Sequence, residues 1–468
     1  MSIITYPIDY YQVNIGVGDC EIILQVEDSH HRLPPYSILK AILIDGGMDG
    51  GRITNIQETM RHIETKYTLG VGGLKFDSVI ITHWDTDHYI GVLTMLMSDL
   101  EAALEREKKA GITGKDPLQV SFLKYDDLGN PLSTLYIPYE TDTGKKIPDK
   151  LKIEYSTVGT TRIMGFTGAR RGNVCKVVAD MMDVAKATLN GGPQELKLGD
   201  STNVIGRELF SGELVEDAKI AKGPLELINA YKMKGTVYKG DRPGLFCVAA
   251  NNRYLPCSPV DKHTAHSYTN CSSIVCLIIH PPSSNLPTGA VSHYLAGDAE
   301  SDLEAGVVKW TGLQPVATRS TDRPKAPDTV LIVKASHHGA PTSFPLTMCQ
   351  TFKPSFILFS AGNKYCHPSW NIMLYVYSYL VSWRGAHASV KDDGLYFRPL
   401  YLTCFPYYSN VPDVNLKSQL VSSENPLLGK SADDKEYHDT INAFFHATDV
   451  ALDLVAEFKG TNISTEEN

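Results

Sequence analysis

Six consecutive residues, His83-Trp84-Asp85-Thr86-Asp87-His88, carry four side chains able to ligate a metal, immediately behind an apolar, β-branched run at 76–81. The run reads as a buried strand. Residues 89–109, with apolar side chains at 90, 92, 95, 96, 97, 100 and 104, read as an amphipathic helix. The acidic and imidazole groups therefore sit in a strand-to-helix turn, where a short loop can fold them inward. Gly91 leaves room for close backbone approach at the start of the helix. Carboxylates suit hard cations and imidazoles suit zinc, so a mixed set can hold Zn2+ or Mn2+. An EF-hand is excluded, because the twelfth position counted from Asp85 is Leu96 and the central glycine is missing.

Two later strand ends repeat the pattern. An apolar run at 292–296 ends in Gly297-Asp298, and another at 329–334 ends in Ser336-His337-His338-Gly339. A further strand at 355–359 leads towards His367-Pro368. Short runs bounded by Gly and Asp at 10–15, 20–26 and 41–44 read as a sheet layer, and 245–249 and 272–279 as further strands. Residues 54–67 and 300–310 have helical spacing. Strands followed by helices in both halves imply an α/β sandwich, with sheets inside and helices outside. Asp and His at successive strand ends then converge on one rim, which builds a site from distant sequence.

The 468 residues fall into four stretches: 1–100 and 245–400 as two halves of one sandwich, 101–244 as an insertion, and 401–468 as an extension. The insertion has short strands and basic clusters at Lys145-Lys146, Arg170-Arg171 and 232–242, and reads as a solvated lid or a substrate-steering surface. The extension carries Ile441, Phe444, Phe445, Leu452, Val455 and Phe458 at helical spacing and reads as a packing helix. Hydrophobic residues at 43% and charged residues at 21% exclude a wholly disordered chain. The net charge of −9 counts against a dedicated polyanion binder. No apolar run reaches the ~18 residues of a membrane helix, and no secretory signal is visible at the N-terminus. Nine cysteines without a CxxC pair read as reduced thiols, so a cytoplasmic protein is expected. The glycine-rich stretch 70–75 lacks phosphate-loop spacing, and Cys271 and Cys276 read as core. Asp19 and Asp45 sit at turns and read as partners of backbone N–H groups.

His83-x-Asp85-x-Asp87-His88 with a following glycine resembles the signature of the metallo-β-lactamase superfamily, with Asp85 where the commoner pattern has a second His. That variant resembles the soluble hydrolase domain of ComEC-type DNA-uptake proteins. Further segments are similar in the same order: Val13-Asn14-Ile15-Gly16-Val17-Gly18-Asp19-Cys20, Ile42-Leu43-Ile44-Asp45-Gly46-Gly47, Asn270-x-x-Ser273-Ile274-Val275, Leu295-Ala296-Gly297-Asp298-Ala299, the 334–343 run around His337-His338, and Tyr365-Cys366-His367-Pro368. The isolated third-motif His of many members has no clear match, His263 and His266 being weak candidates.

The resemblance implies an αββα sandwich with a long insertion and two divalent metal ions, Zn2+ first and Mn2+ as the alternative. His83 and Asp85 would hold one ion, Asp87 and His88 the other, with Asp298 bridging and His337 completing the set. Asp87, His338 and His367 would carry the catalysis, His338 or His367 giving a hydrogen bond or proton to substrate. The implied activity is hydrolysis by a metal-activated hydroxide, the favoured substrate being a phosphodiester (a nucleic-acid strand, a nucleotide or a phospho-head-group), with a small or short one favoured over extended nucleic acid by the net charge. A lactone, lactam or other acyl substrate is the alternative, and a non-catalytic binding module a third. The DNA-channel role does not carry over, because the chain lacks the membrane helices.

Overall fold

The computed structural model describes residues 4–29, 36–136, 204–233, 242–312 and 332–360 with short breaks, positions 367, 368 and 372, and strand segments at 163–164, 400–402, 445–447, 454–459 and 462–467. Most of the 101–244 insertion, His263 and His266 lie outside the described residues.

The first sheet is built around β1 (Ile8–Gln12), β2 (Glu21–Ser29), β3 (Tyr36–Ile44), β4 (Ser78–Ile80) and β5 (Thr134–Tyr136). β1 to β3 pair antiparallel, and β4 and β5 then add in parallel. Its strands are apolar on both faces. Ile8, Tyr10, Ile23, Ile42, Ile44 and Ile80 pack in the cluster shared with the second sheet. Their neighbours Tyr11, Ile22, Leu24, Leu43, Val79 and Ile81 pack under α1 (Ile53–Lys66) and α2 (Thr86–Ala110). That two-residue alternation of destination is why these strands read as continuous apolar runs.

The second sheet has β6 (Gly244–Ala250), β7 (Val275–His280) and β8 (Ala290–Leu295) antiparallel. β9 (Ile332–Lys334), β10 (Phe356–Phe359), β11 (Leu400–Leu402) and β12 (Phe445–Ala447) continue it in parallel. Leu227 and Ile228 of α3 (Pro224–Met233) and Leu303, Val307 and Trp310 of α4 (Ser301–Thr311) join the inter-sheet core cluster. The expected sandwich is therefore present.

The C-terminal extension differs from its expectation. Residues 454–459 form β13 (Leu454–Lys459), which pairs antiparallel with β1, and β14 (Asn462–Glu467) pairs with β13. Residues 445–447 are strand as well. Leu454, Ala456 and Phe458 alternate with Val455, Glu457 and Lys459, and this period of two serves the open edge of β1 better than a helix would. The rest of the expected helix lies outside the described residues. No helix among the described residues is long and apolar enough to cross a membrane.

Candidate metal centre

The carboxyl ends of β3, β4, β8, β9 and β10 point to one rim, and each delivers a polar residue there: Asp45, Thr82 with His83, Asp298, His338 and Ser360. Ligand sites in α/β folds gather at such strand ends. Glycines let the turns close. The Gly46 N–H donates to the His88 carbonyl at 2.8 Å and the Gly91 N–H to the Gly47 carbonyl at 2.9 Å. A Cβ on Gly91 would lie 1.7 Å from the Gly46 carbonyl oxygen, so α2 docks on the Asp45 turn only through glycine.

Three histidines have their ring orientation fixed from behind. The Nδ1 of His88 donates to Asp45 Oδ2 at 2.8 Å. The Nδ1 of His338 donates to the Ser360 carbonyl at 2.6 Å. Thr82 Oγ1 donates to Asp45 Oδ2 at 2.5 Å and so accepts from His83 Nδ1 at 3.2 Å. Because each partner can only accept, each Nδ1 carries a hydrogen and each Nε2 is the atom left for a metal or a second proton. Those three Nε2 atoms are buried without a hydrogen-bond partner, and so is Asp298 Oδ1.

The four orphan atoms converge. Asp298 Oδ1 lies 3.2 Å from His88 Nε2 and 3.4 Å from His338 Nε2, while Asp298 Oδ2 lies 3.5 Å from His83 Nε2. Asp87 Oδ2 is 3.4 Å from His338 Nε2. Donors bound to a tetrahedral zinc at about 2.1 Å are about 3.4 Å apart, so these spacings fit a shared cation. Orphaned polar atoms in a protein interior are costly, and divalent cations held in this cluster would satisfy them.

The electrostatics agree. Burial works against charging His88, but Asp298 and Asp45 override it and raise its pKa well above the ordinary value. His338 is likewise opposed by burial and raised to about 10 by Asp298 and Asp19. Burial and His88 would lower His83, and Asp298 overrides both. Asp298 and Asp87 are held far below the usual carboxylate range, against burial, by the surrounding histidines. The cluster attracts positive charge, for which protons and metal compete at the same Nε2 atoms.

Residues 39–151 match the family model of the metallo-beta-lactamase superfamily. The metallo-beta-lactamase match takes in Asp45, His83, Asp87 and His88, while Asp19, Asp298 and His338 lie outside it. No curated protein matches the chain.

Two residues expected as ligands, Asp85 and His337, lie outside the groups of described residues able to hold an ion. Among the described residues, the groups able to hold an ion are His83–His88–Asp298, Asp87–His88–His338, Asp19–Asp298–His338 and Asp19–Asp45–His88. Asp85 is in none of them: it precedes α2 with its side chain 46% exposed, 3.6 Å from His83 Nε2. His337 was expected as ligand and His338 as proton donor, and the geometry reverses their depths. His338 is buried in the cluster, whereas the His337 side chain is 24% exposed and its Nε2 is 3.8 Å from Asp298 Oδ2. Both residues have positive φ, 47° and 55°, a conformation that costs non-glycine residues and recurs at functional sites. This turn sends one ring inward and leaves the other at the mouth.

His337 is held there beside Asn270 Nδ2 at 3.4 Å and Thr342 Oγ1 at 3.3 Å. The His367 ring stacks 6.2 Å from that of His338 and lies 5.7 Å from that of His337. Burial lowers both mouth histidines, His367 to about 4 with help from His338, so both are neutral at pH 7.

Sequence reasoning missed the groups behind the ligands. Asp45 accepts the Thr82 N–H at 2.8 Å, as a turn aspartate should, but also orients His88. Asp19 Oδ1 stands 3.2 Å from His338 Nδ1, and its other oxygen pairs with the buried Lys334. The signal was available, since Asp45 ends a strand just as Asp298 does.

Proposed function

We propose that this protein is a metal-dependent hydrolase whose two-cation centre is held by His83, His88, Asp87, Asp298 and His338, and that it cleaves a short phosphodiester. The observation that carries this reading is the convergence of four buried, unpartnered donor atoms, from His83, His88, His338 and Asp298. When bound, two divalent cations would supply ionised water at neutral pH and polarise the phosphoryl oxygen.

The protein's own residues do the rest. Asp298 turns one oxygen towards His88 and His338 and the other towards His83, which suits a bridging carboxylate. Asp45, Thr82 and the Ser360 carbonyl fix the imidazoles, so the donor set needs little reorganisation. The neutral rings of His337 and His367 stand at the mouth, where an N–H can donate to a substrate oxygen or pass a proton to the leaving group. Asp85, half-exposed 3.6 Å from His83 Nε2, would shape the entrance. The likeness of the strand-end motifs to ComEC-type hydrolase domains supports a phosphodiester. The net charge of −9 favours a short one over extended nucleic acid.

Incubation with bis(p-nitrophenyl) phosphate and with simple lactones, each with added Mn2+ or Zn2+, tests the reading. Release of nitrophenol without lactone opening supports a diesterase. Lactone opening alone would move the assignment to acyl substrates. Silence on both, with no bound metal by elemental analysis, would leave a binding module.

A further inference from the structure

Lys334 is fully buried in β9, beside a centre suited to two dications. A lone ammonium there would repel the ions and bear a large desolvation cost. Its partners explain its presence. The Nζ pairs with Asp19 Oδ2 and donates to the Gly297 carbonyl at 3.1 Å, next to Asp298. Asp19 in turn belongs to two of the groups able to hold an ion, one with Asp298 and His338 and one with Asp45 and His88, each with ligand atoms within 4.8 Å of one another. Lys334 engages only Asp19 Oδ2, while Oδ1 is buried without a hydrogen-bond partner 3.2 Å from His338 Nδ1. It is therefore the ammonium charge that keeps Asp19 from acting as a third full carboxylate for the cations.

We propose that Lys334 is a positioning residue that withholds Asp19 from the metal centre, leaving Asp87 and Asp298 as its acidic ligands beside three imidazoles. An imidazole-rich set favours Zn2+, and an added carboxylate shifts preference towards Mn2+. Lys334 therefore sets metal selectivity. The inference rests on the reading of the cluster as a metal centre.

Metal-stripped full-length protein, titrated with Mn2+ and with Zn2+ against a chromophoric chelator, tests it. Lys334→Met should tighten Mn2+ binding by about tenfold or more, the scale on which partners behind metal ligands act. Asp19→Asn/Lys334→Met, which buries no unmatched charge, should bind both ions within about threefold of wild type, as expected if the pair acts as one neutral unit. A folded Lys334→Met protein with no gain for Mn2+ would overturn the proposal. So would a double variant whose affinity falls beyond threefold, because Asp19 would then be a ligand itself. If Lys334→Met does not fold, the double variant still overturns the proposal should its affinity fall beyond threefold. Wild-type protein that takes up neither ion would remove the metal reading first, an outcome distinct from failure of the Lys334 inference.

Discussion

Asp45 touches no solvent, yet through one carboxylate it accepts the Thr82 N–H, the Thr82 hydroxyl and the His88 Nδ1–H. Its effect on a bound ion would be indirect, through the angle and tautomer of His88. Asp45→Asn should therefore weaken metal binding by about 10- to 100-fold while the protein stays folded. Isothermal titration beside a far-ultraviolet spectrum checks both halves, and unchanged affinity would remove Asp45 from the orienting shell. The acidic and imidazole groups at strand ends were legible because their spacing is local. The exchange of depth between His337 and His338 was not, because it depends on two left-handed backbone conformations that residue identity does not announce.

The elements that carry these residues are locked by contacts that admit little variation. Gly91→Val would drive side-chain atoms into the Gly46 backbone, where even a Cβ would be 1.7 Å from the carbonyl oxygen. It should cost about 3 kcal/mol or more in denaturant unfolding, and a neutral result would mean that α2 can dock differently.

Away from the metal centre, β7 and β8 bury a chain in which His280 Nε2 lies 2.9 Å from Ser292 Oγ and Ser292 Oγ lies 2.8 Å from His293 Nδ1. Burial lowers both histidines from the ordinary 6.5 to about 3. Below pH 6.5 the unfolded chain takes up protons that the fold refuses, so stability falls from there down towards pH 3. At pH 5 each contributes roughly 2 kcal/mol of that loss. His293→Gln should lose about 2 kcal/mol less stability than wild type between pH 7 and 5, and equal slopes would contradict the assignment. Strand and helix positions were readable from hydrophobic period. The C-terminal strands were not, because a six-residue run such as 454–459 has no length to separate one period from the other.

Across the whole molecule the donor set is shared between the two halves. His83, His88 and Asp87 follow the first sheet, and Asp298 and His338 follow the second. A cation there would clamp sheet to sheet and stabilise the fold by mass action, by about 4 kcal/mol when free metal is a thousandfold above its Kd. Thermal unfolding should therefore begin several degrees lower after chelation and recover on adding Zn2+. A Tm indifferent to chelator would argue against a site spanning both halves. The sandwich was legible from alternating strand and helix signals in each half. The edge pairing of β13 with β1, which joins the chain's end to its beginning, was not, because no local pattern encodes a contact between segments so distant.

The central claim is that His83, His88, His338, Asp87 and Asp298 hold divalent cations. Anomalous scattering at the zinc edge from crystals grown with Zn2+ tests it most directly. The account predicts two peaks within coordinating distance of those side chains in the wild type, and loss of at least one in Asp298→Asn. No peak among the three imidazoles, or a zinc held elsewhere with those Nε2 atoms left bare, would contradict it.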